Sequence, residues 1–303
     1  MVDKNRVFLE GLQHRRSMAV RLISMCALLS VSVGSHISQS AGLFTATRIG
    51  PQVSISTWTA CSPDAYRLAV LGTTPQAYLR MTPTGLLERS VGSNTSDWTW
   101  TAAPTTTPGA LGCDSNLATI LSASAWLSSE HRVWTLGDTV SFSYALWFKA
   151  NVGTQGVLFS SASGVASSGA TSRADRALWI APNGVLSVSV TDGPVTKWIS
   201  TPGTVADGKW HFAVVTMQSG DSGATRGTRL YLDGAQVAYD SQMRKGLPPT
   251  STESWRAGPA TLPTAVGTLA PTSAFTGALD EIAVWDKVVT DAQISSIWAA
   301  RNG

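Results

Sequence analysis

Alternating apolar and polar residues recur along this chain and predict many short β-strands. The clearest run spans residues 140–150, in which every second residue is large and apolar: Val140, Phe142, Tyr144, Leu146 and Phe148. Because successive side chains of a strand point to opposite faces, this spacing places all five on one face. Further strands are predicted at residues 156–161 and 195–201.

Two hairpins are marked by turn residues between strand-like runs. Asn183-Gly184 separates residues 176–181 from residues 185–190, and Asp233-Gly234 follows residues 229–232. Asn-Gly and Asp-Gly supply the positive φ angles that tight hairpin turns require. Before the second hairpin, the sequence DGKWHFAVVTM predicts another strand.

The chain ends with a predicted strand and a short helix. Residues 275–286 (FTGALDEIAVWD) form the closing strand. Thr290 and Gln293 have the spacing of a capping box, which starts a helix. One helix after many short strands predicts an all-β sandwich.

Several of these stretches resemble one family. "DGKWH", "LYLDG", the opening Pro-Gln-Ala-Tyr-Leu-Arg-Met at residues 75–81 and the closing "GALDEI" resemble the laminin-G-like jelly roll of the concanavalin A-like lectin/glucanase superfamily. Leu79 stands where the family usually has Trp. The resemblance covers residues 75–303 and implies a two-sheet antiparallel jelly-roll β-sandwich with a short C-terminal helix.

The N-terminus has the pattern of an export signal. Basic residues precede an apolar run at residues 22–33, and small residues follow to Gly42. Residues 1–42 are therefore predicted to be a cleaved signal peptide or a retained membrane anchor, although the run is shorter than the ~20 residues of a spanning helix. Residues 43–74 are interpreted as a lead-in packed on the jelly-roll domain at 75–303. We expect a secreted or cell-surface protein, with membrane contact only through an uncleaved N-terminal segment.

The charge of the chain restricts its classes of binding partner, and its cysteines predict a disulfide. Residues 1–42 carry five of the 22 Lys and Arg residues and two of the 19 Asp and Glu residues, so 17 of each sign remain. A neutral mature chain gives no electrostatic basis for binding nucleic acid. Cys61 and Cys113 remain after the signal and are expected to pair in an oxidising compartment; two separate free thiols are the alternative.

Catalytic motifs are missing from the sequence. The glucanases of the superfamily carry carboxylates at alternating positions of one strand, whereas Asp280 and Asp286 here lie ~20 Å apart along a strand. Glycosidase pairs need about 5 to 9.5 Å, and no nucleophile elbow or zinc motif occurs. His211 is interpreted as structural, and no catalytic residue is assigned.

Asp280 is the candidate metal ligand. By parity it shares a face with Ile282 and Val284, and a buried carboxylate needs a compensating partner. The resemblance implies a structural Ca²⁺ near the terminal strands, with Asp280 as the position that could serve it. Hydrogen bonding to the backbone is the alternative.

Aromatic residues outside the predicted core are the candidate ligand-binding residues, because aromatic faces can stack on sugar rings. The chain has 12 Trp residues, and three aromatics point away from the assigned core: Trp147, Tyr231 and Trp285. Trp98 and Trp100 lie two residues apart in a segment that is predicted to be a loop or edge, so they could share one exposed face. They are either covered by loops or form a ligand platform. We expect a non-catalytic binding module for carbohydrate or extracellular glycoconjugate. The alternatives are an adhesive surface protein that recognises protein, and a divergent glycosidase or lyase.

Overall fold

The computed structural model describes residues 62–129, 141–163, 174–192, 195–219, 226–244 and 253–303. Ser62–Gly303 is one compact unit. The predicted signal segment and Cys61 lie outside the described residues.

Sixteen strands and two α-helices occur within these ranges. The strands are β1 Ala77–Leu79, β2 Leu87–Glu88, β3 Trp98–Trp100, β4 Thr105–Pro108, β5 Leu117–Ile120, β6 Leu127–Ser129, β7 Phe142–Lys149, β8 Gly156–Ser163, β9 Ala174–Ile180, β10 Val185–Asp192, β11 Val195–Thr204, β12 Trp210–Gln218, β13 Gly227–Leu232, β14 Ala235–Asp240, β15 Glu253–Ala257 and β16 Ala278–Trp285. The helices are α1 Ala65–Leu71 and α2 Asp291–Ala299, and short 3₁₀ helices span Thr264–Leu269 and Ala300–Asn302.

The strands form two antiparallel sheets, which confirms the predicted sandwich. The first sheet has the order β14-β13-β12-β7-β16-β5-β4, and β1 also pairs with β16. The second has the order β11-β10-β9-β8-β15-β6-β3-β2. Both predicted hairpins are confirmed, as β9 pairs with β10 and β13 with β14. Asp233 and Gly234 have φ angles of 52° and 82°, as the tight turn requires.

The main core lies between the two sheets. The alternating residues of β7 contribute Phe142, Tyr144, Leu146 and Phe148 to it. Trp255 of the second sheet stacks on Phe159 with 5.0 Å between ring centroids. Burial of these large apolar side chains supplies most of the driving force for joining the sheets.

A second apolar cluster covers the outer face of the first sheet. Tyr66 and Val70 of α1 and Ile294 and Ile297 of α2 are buried on it. The capping box predicted at Thr290 is present: the Thr290 side chain accepts from the Gln293 backbone amide, and the Gln293 side chain accepts from the Thr290 backbone amide. The lead-in thus contains a helix that the sequence reasoning did not assign. Phe212 and Val214 of β12 lie in this cluster, whereas Ala213 and Val215 face the core between the sheets.

The outer face of the second sheet carries a smaller cluster. Val266, from the 3₁₀ helix at Thr264–Leu269, packs with Trp179 and neighbouring alanines of β9. The Trp179 indole donates a hydrogen bond to the Leu269 carbonyl at 2.8 Å. Among the residues described, no helix is long and apolar enough to cross a membrane.

Candidate ligand-binding site

All five aromatics predicted to bind ligand are buried, each with at most 3% of its surface exposed: Trp98, Trp100, Trp147, Tyr231 and Trp285. Of the two alternatives for these residues, cover and an exposed ligand platform, their burial favours cover. Trp98 and Trp100 lie in the core between the sheets, because residues 98–100 form a strand rather than a loop. A ligand cannot stack on rings that are enclosed in this way.

The other three point away from the core, as parity indicated, but α1 and α2 cover them. Trp147 stacks on Trp298 of α2 with 5.4 Å between ring centroids. The Trp285 indole donates to the Thr73 hydroxyl at 2.9 Å. The outer face of the first sheet is thus covered by helices, whereas the sequence analysis considered cover by loops or contact with a ligand.

Tyr231 is the member of the set that borders a surface groove. This groove has a volume of about 470 Å³ and lies where the outer face of β12 and β13 extends past the start of α2. Its walls include side chains of both strands and of the segment that leads into α2: Thr216, Gln218, Arg229, Tyr231, Val288, Val289, Thr290, Asp291 and Ala292. The five predicted aromatics are thus not brought together, and one of them, Tyr231, lines the candidate binding groove.

A hydrogen bond joins two of the residues that line the groove, Tyr231 and Asp291. The Tyr231 hydroxyl donates to Asp291 Oδ1 at 2.6 Å. Burial, and then the hydrogen bond and charge of Asp291, raise the pKa of Tyr231. The phenol therefore stays protonated and orients one oxygen of Asp291, leaving the other for a ligand or water.

An exposed aromatic ring lies beside Arg229, which lines the groove. The Arg229 guanidinium lies 4.4 Å from the ring centroid of Tyr239, which is 41% exposed. The Tyr239 hydroxyl donates to the Arg226 carbonyl at 2.8 Å. Tyr239 and Gln218 were missed by the sequence analysis. The sequence signal that could have identified them is a polar or aromatic side chain at an outward-facing position of a strand near the edge of the sheet.

The candidate metal ligand Asp280 lies beside Glu281 at a β-bulge. Glu281 has a φ of +51°, and the pairing of β16 with β7 shifts register between Asp280 and Ala283. The extra residue reverses parity, so Leu279 and Ile282 both face the core while Asp280 does not. The prediction that Asp280 shares the face of Ile282 and Val284 was therefore wrong.

Both carboxylates are fully buried and hydrogen-bonded. Asp280 Oδ2 accepts from the Ala110 amide at 2.9 Å. Glu281 accepts from the Tyr78 hydroxyl and from Arg80 Nε, the latter at 3.3 Å. Burial raises the pKa of both groups, to about 7 for Glu281, and the charge of Glu281 further raises that of Asp280.

These residues do not fit a calcium ion. Ca²⁺ takes six to eight oxygen ligands, whereas the oxygens of Asp280 and Glu281 already accept bonds from backbone, phenol, guanidinium and amide donors. In the described part of the chain, no three Asp, Glu, His or Cys side chains converge in a way that could hold a metal. Asp280 accepts hydrogen bonds from the Ala110 backbone amide and the Asn116 side chain, which favours hydrogen bonding over metal binding as its role.

His211, interpreted as structural, lies between two aspartates. Its Nδ1 is 2.8 Å from Asp233 Oδ2, and its Nε2 is 3.2 Å from Asp207 Oδ1. The hydrogen bond with Asp233 is the main cause that raises the pKa of His211. Asp233 also accepts from the Phe212 amide at 2.9 Å, so this trio ties the Asp233-Gly234 turn to β12.

Comparisons with solved structures find the same architecture in binding domains. The binding domain of Paraclostridial mosquitocidal protein 1 superposes with a TM-score of 0.53 at 10% identity, covering 75% of this chain and 52% of that one. Domain 4 of AbnA, an extracellular GH43 arabinanase of Geobacillus stearothermophilus solved with arabinotriose, gives 0.53 at 13% identity and covers 74% and 98%. The ligand-binding domain of botulinum neurotoxin serotype D, solved with N-acetylneuraminic acid, gives 0.52 at 10% identity and covers 76% and 52%.

At these identities the likeness establishes the fold. The chain spans about half the length of the toxin domains that it matches. No curated protein matches it significantly. A family model for the concanavalin A-like lectin/glucanases superfamily, of the laminin-G type, matches residues 121–295, more than half of the sequence. The chain therefore belongs to the concanavalin A-like lectin/glucanase superfamily, as a laminin-G-like member.

Proposed function

We propose that this protein is a non-catalytic extracellular binding module that takes carbohydrate or glycoconjugate in the groove between β12–β13 and the start of α2. The observation that carries the proposal is a groove lined by hydroxyl, amide, guanidinium and carboxylate groups, with the exposed ring of Tyr239 in contact with Arg229 of its wall.

This combination suits a sugar. A pyranose or furanose ring presents a C–H face, which packs on an aromatic ring, and several hydroxyls, which need both donors and acceptors. Gln218 offers both, Arg229 donates, and Asp291 accepts. Binding sites for small ligands commonly combine an apolar surface with a few fixed polar groups in this way.

Two further observations support the proposal. The superposed arabinanase domain and neurotoxin domain were solved with arabinotriose and N-acetylneuraminic acid, respectively. The buried carboxylate pair of the closing strand is bonded to Tyr78 and Arg80, so it offers no accessible acid and base for glycoside hydrolysis.

A glycan array with the full-length exported protein tests the proposal. We expect wild-type protein to bind a restricted set of glycans, and Tyr239→Ala and Gln218→Ala each to weaken that binding about fivefold or more, since lost stacking and hydrogen bonds are each worth ~1 kcal/mol or more. Trp198→Ala is the matched control, because Trp198 is an exposed aromatic on the other sheet, 38% exposed.

Two results would contradict the proposal. Absence of glycan binding, with capture of a surface protein instead, would favour the adhesive alternative. Loss of glycan binding in Trp198→Ala but not in Tyr239→Ala would keep the function and move the site to the second sheet.

A further inference from the structure

The acidic pair of the closing strand is joined to the start of the domain through Arg80. Besides its bond to Glu281, the Arg80 guanidinium forms an ion pair with Asp114. Asp114 Oδ1 in turn accepts from the backbone amide of Asn116 at 2.9 Å. One guanidinium, 22% exposed, thus bridges a fully buried carboxylate and an aspartate of the loop between β4 and β5.

The Asn116 side chain fills the space between the acidic oxygens. Its Nδ2 lies 2.5 Å from the Arg80 carbonyl oxygen, 3.1 Å from Glu281 Oε1 and 3.2 Å from Asp280 Oδ1. Three oxygens converge on this nitrogen, one from the backbone after β1 and two from side chains of β16. Oxygen ligands of this kind are those that a divalent cation such as Ca²⁺ prefers. The Asn116 amide nitrogen occupies this position, and the Arg80 guanidinium contributes the positive charge beside it by donating to Glu281 Oε1.

The buried charge of Asp280 and Glu281 also requires compensation. A buried carboxylate without a positive partner or hydrogen-bond donors is costly, and a chain can meet that need with a bound metal or with its own side chains. Here the donors come from Tyr78, Arg80 and Asn116, all supplied by the chain.

We propose that Arg80 takes the place of a divalent cation at the Asp280–Glu281 pair, so that the closing strand is held to β1 without calcium. The proposal does not depend on which ligand the groove binds. It identifies Arg80 as a positioning residue of the fold and makes the module independent of Ca²⁺.

Thermal unfolding of the wild-type full-length protein gives the first test. The melting temperature in excess EDTA should equal that in millimolar CaCl₂. A melting temperature that falls in EDTA and recovers on adding CaCl₂, but not MgCl₂, would overturn the proposal, because it would show a bound calcium ion that stabilises the fold.

A double-mutant cycle gives the second test. Arg80→Met keeps the aliphatic stem but leaves Glu281 without its cation, so we expect the unfolding equilibrium constant to rise by roughly a hundredfold or more. In the double variant with Glu281→Gln, the combined effect should be at least about tenfold smaller than the product of the single effects. Effects that multiply would overturn the proposal.

The controls separate charge from folding failure. Arg89→Met removes a neighbouring arginine whose side chain is 81% exposed and 3.8 Å from Asp97, and it should change the equilibrium constant less than about fivefold. If Arg80→Met does not fold, the double variant should still fold. A double variant that also fails would overturn the proposal, since neutralising Glu281 would then not remove the need for the guanidinium.

Discussion

Glu88 is a buried carboxylate whose titration should make the domain more stable in mild acid than in mild base. It lies on β2 with 1% of its surface exposed, and its Oε1 accepts from the Thr82 amide at 3.1 Å. Burial is the largest cause that raises the pKa of Glu88 to about 7, while the Thr82 amide opposes the rise. The perturbation is Glu88→Gln, which keeps an oxygen for Thr82 and cannot ionise.

The sign of the effect follows from proton linkage. Below the ordinary pKa of 4.5, Glu88 is protonated in both folded and unfolded protein, so its burial costs no charge. Between 4.5 and about 7 the unfolded chain releases the proton while the folded chain keeps it, and the free energy of unfolding falls as pH rises. Above the folded pKa the loss is complete, at ~3 kcal/mol.

The assay compares melting temperatures of wild-type protein and Glu88→Gln at pH 5 and pH 8. A domain of this size shifts by about 2–4 °C per kcal/mol. We therefore expect the variant to melt roughly 6–12 °C higher than wild type at pH 8, with a much smaller difference at pH 5. Asp97→Asn, at a partly exposed aspartate, is the control and should have little effect at either pH.

A difference between wild type and Glu88→Gln that is the same at both pH values would refute this reasoning. The folded pKa of Glu88 would then lie near its unfolded value. Glu281 and His211, whose pKa values are also raised, add pH dependence in the same direction in wild type. Because both remain in the variant, the comparison isolates Glu88.

Two further predictions concern the helix cap and the cysteines. Thr290→Ala should lower the free energy of unfolding by about 1 kcal/mol through loss of the capping bond from the Gln293 backbone amide, measured as a lower denaturant midpoint with unchanged slope. Ser295→Ala, at an exposed position of the same helix, leaves the cap intact and should cost less. If Cys61 pairs with Cys113, the bridge closes a loop of about 52 residues worth roughly 4 kcal/mol, so reductant or Cys113→Ser should speed proteolysis of residues 43–74; equal cleavage with and without reductant would count against the bridge.

The strands and hairpins could be predicted because their signals are local. A period of two identified β7, and paired turn residues identified the β9–β10 and β13–β14 hairpins. The cap of α2 was also readable, since it depends on residues three apart. Each of these features is decided within a dozen residues, where backbone geometry and side-chain chemistry suffice.

Burial of the outward aromatics could not be predicted from parity alone. Parity placed Trp147 and Trp285 on the outer face, but whether that face is covered depends on α1 and α2, which are distant in sequence. A signal was nevertheless present. β16 and most of β12 are apolar at consecutive positions, as in Ile282 to Trp285, and strands buried on both faces have this composition.

Helix α1 was missed for a different reason. Its seven residues are too few for a helical period to stand out, and isolated helices of this length are unstable. The buried residues Tyr66 and Val70 have the i, i+4 spacing of one helical face. Tyr66 packs edge-on against Trp147 and Phe212, with 6.2 Å between centroids in both cases, so tertiary contacts stabilise this helix.

The bulge at Asp280–Glu281 explains why a charged pair lies at the centre of an apolar strand. One edge of β16 pairs with β7, while the other edge is shared: β5 pairs with Ala278–Leu279 and β1 with Ile282–Val284. Between these two partner strands, a short stretch of that edge has no ladder partner, and Asp280 and Glu281 occupy it. Their carboxylates accept from Arg80, which follows β1, and from Asn116, which precedes β5. Replacing the pair with apolar residues would leave those donors unsatisfied, at a cost of ~1–3 kcal/mol each, so the buried charge fixes both strands in register on β16.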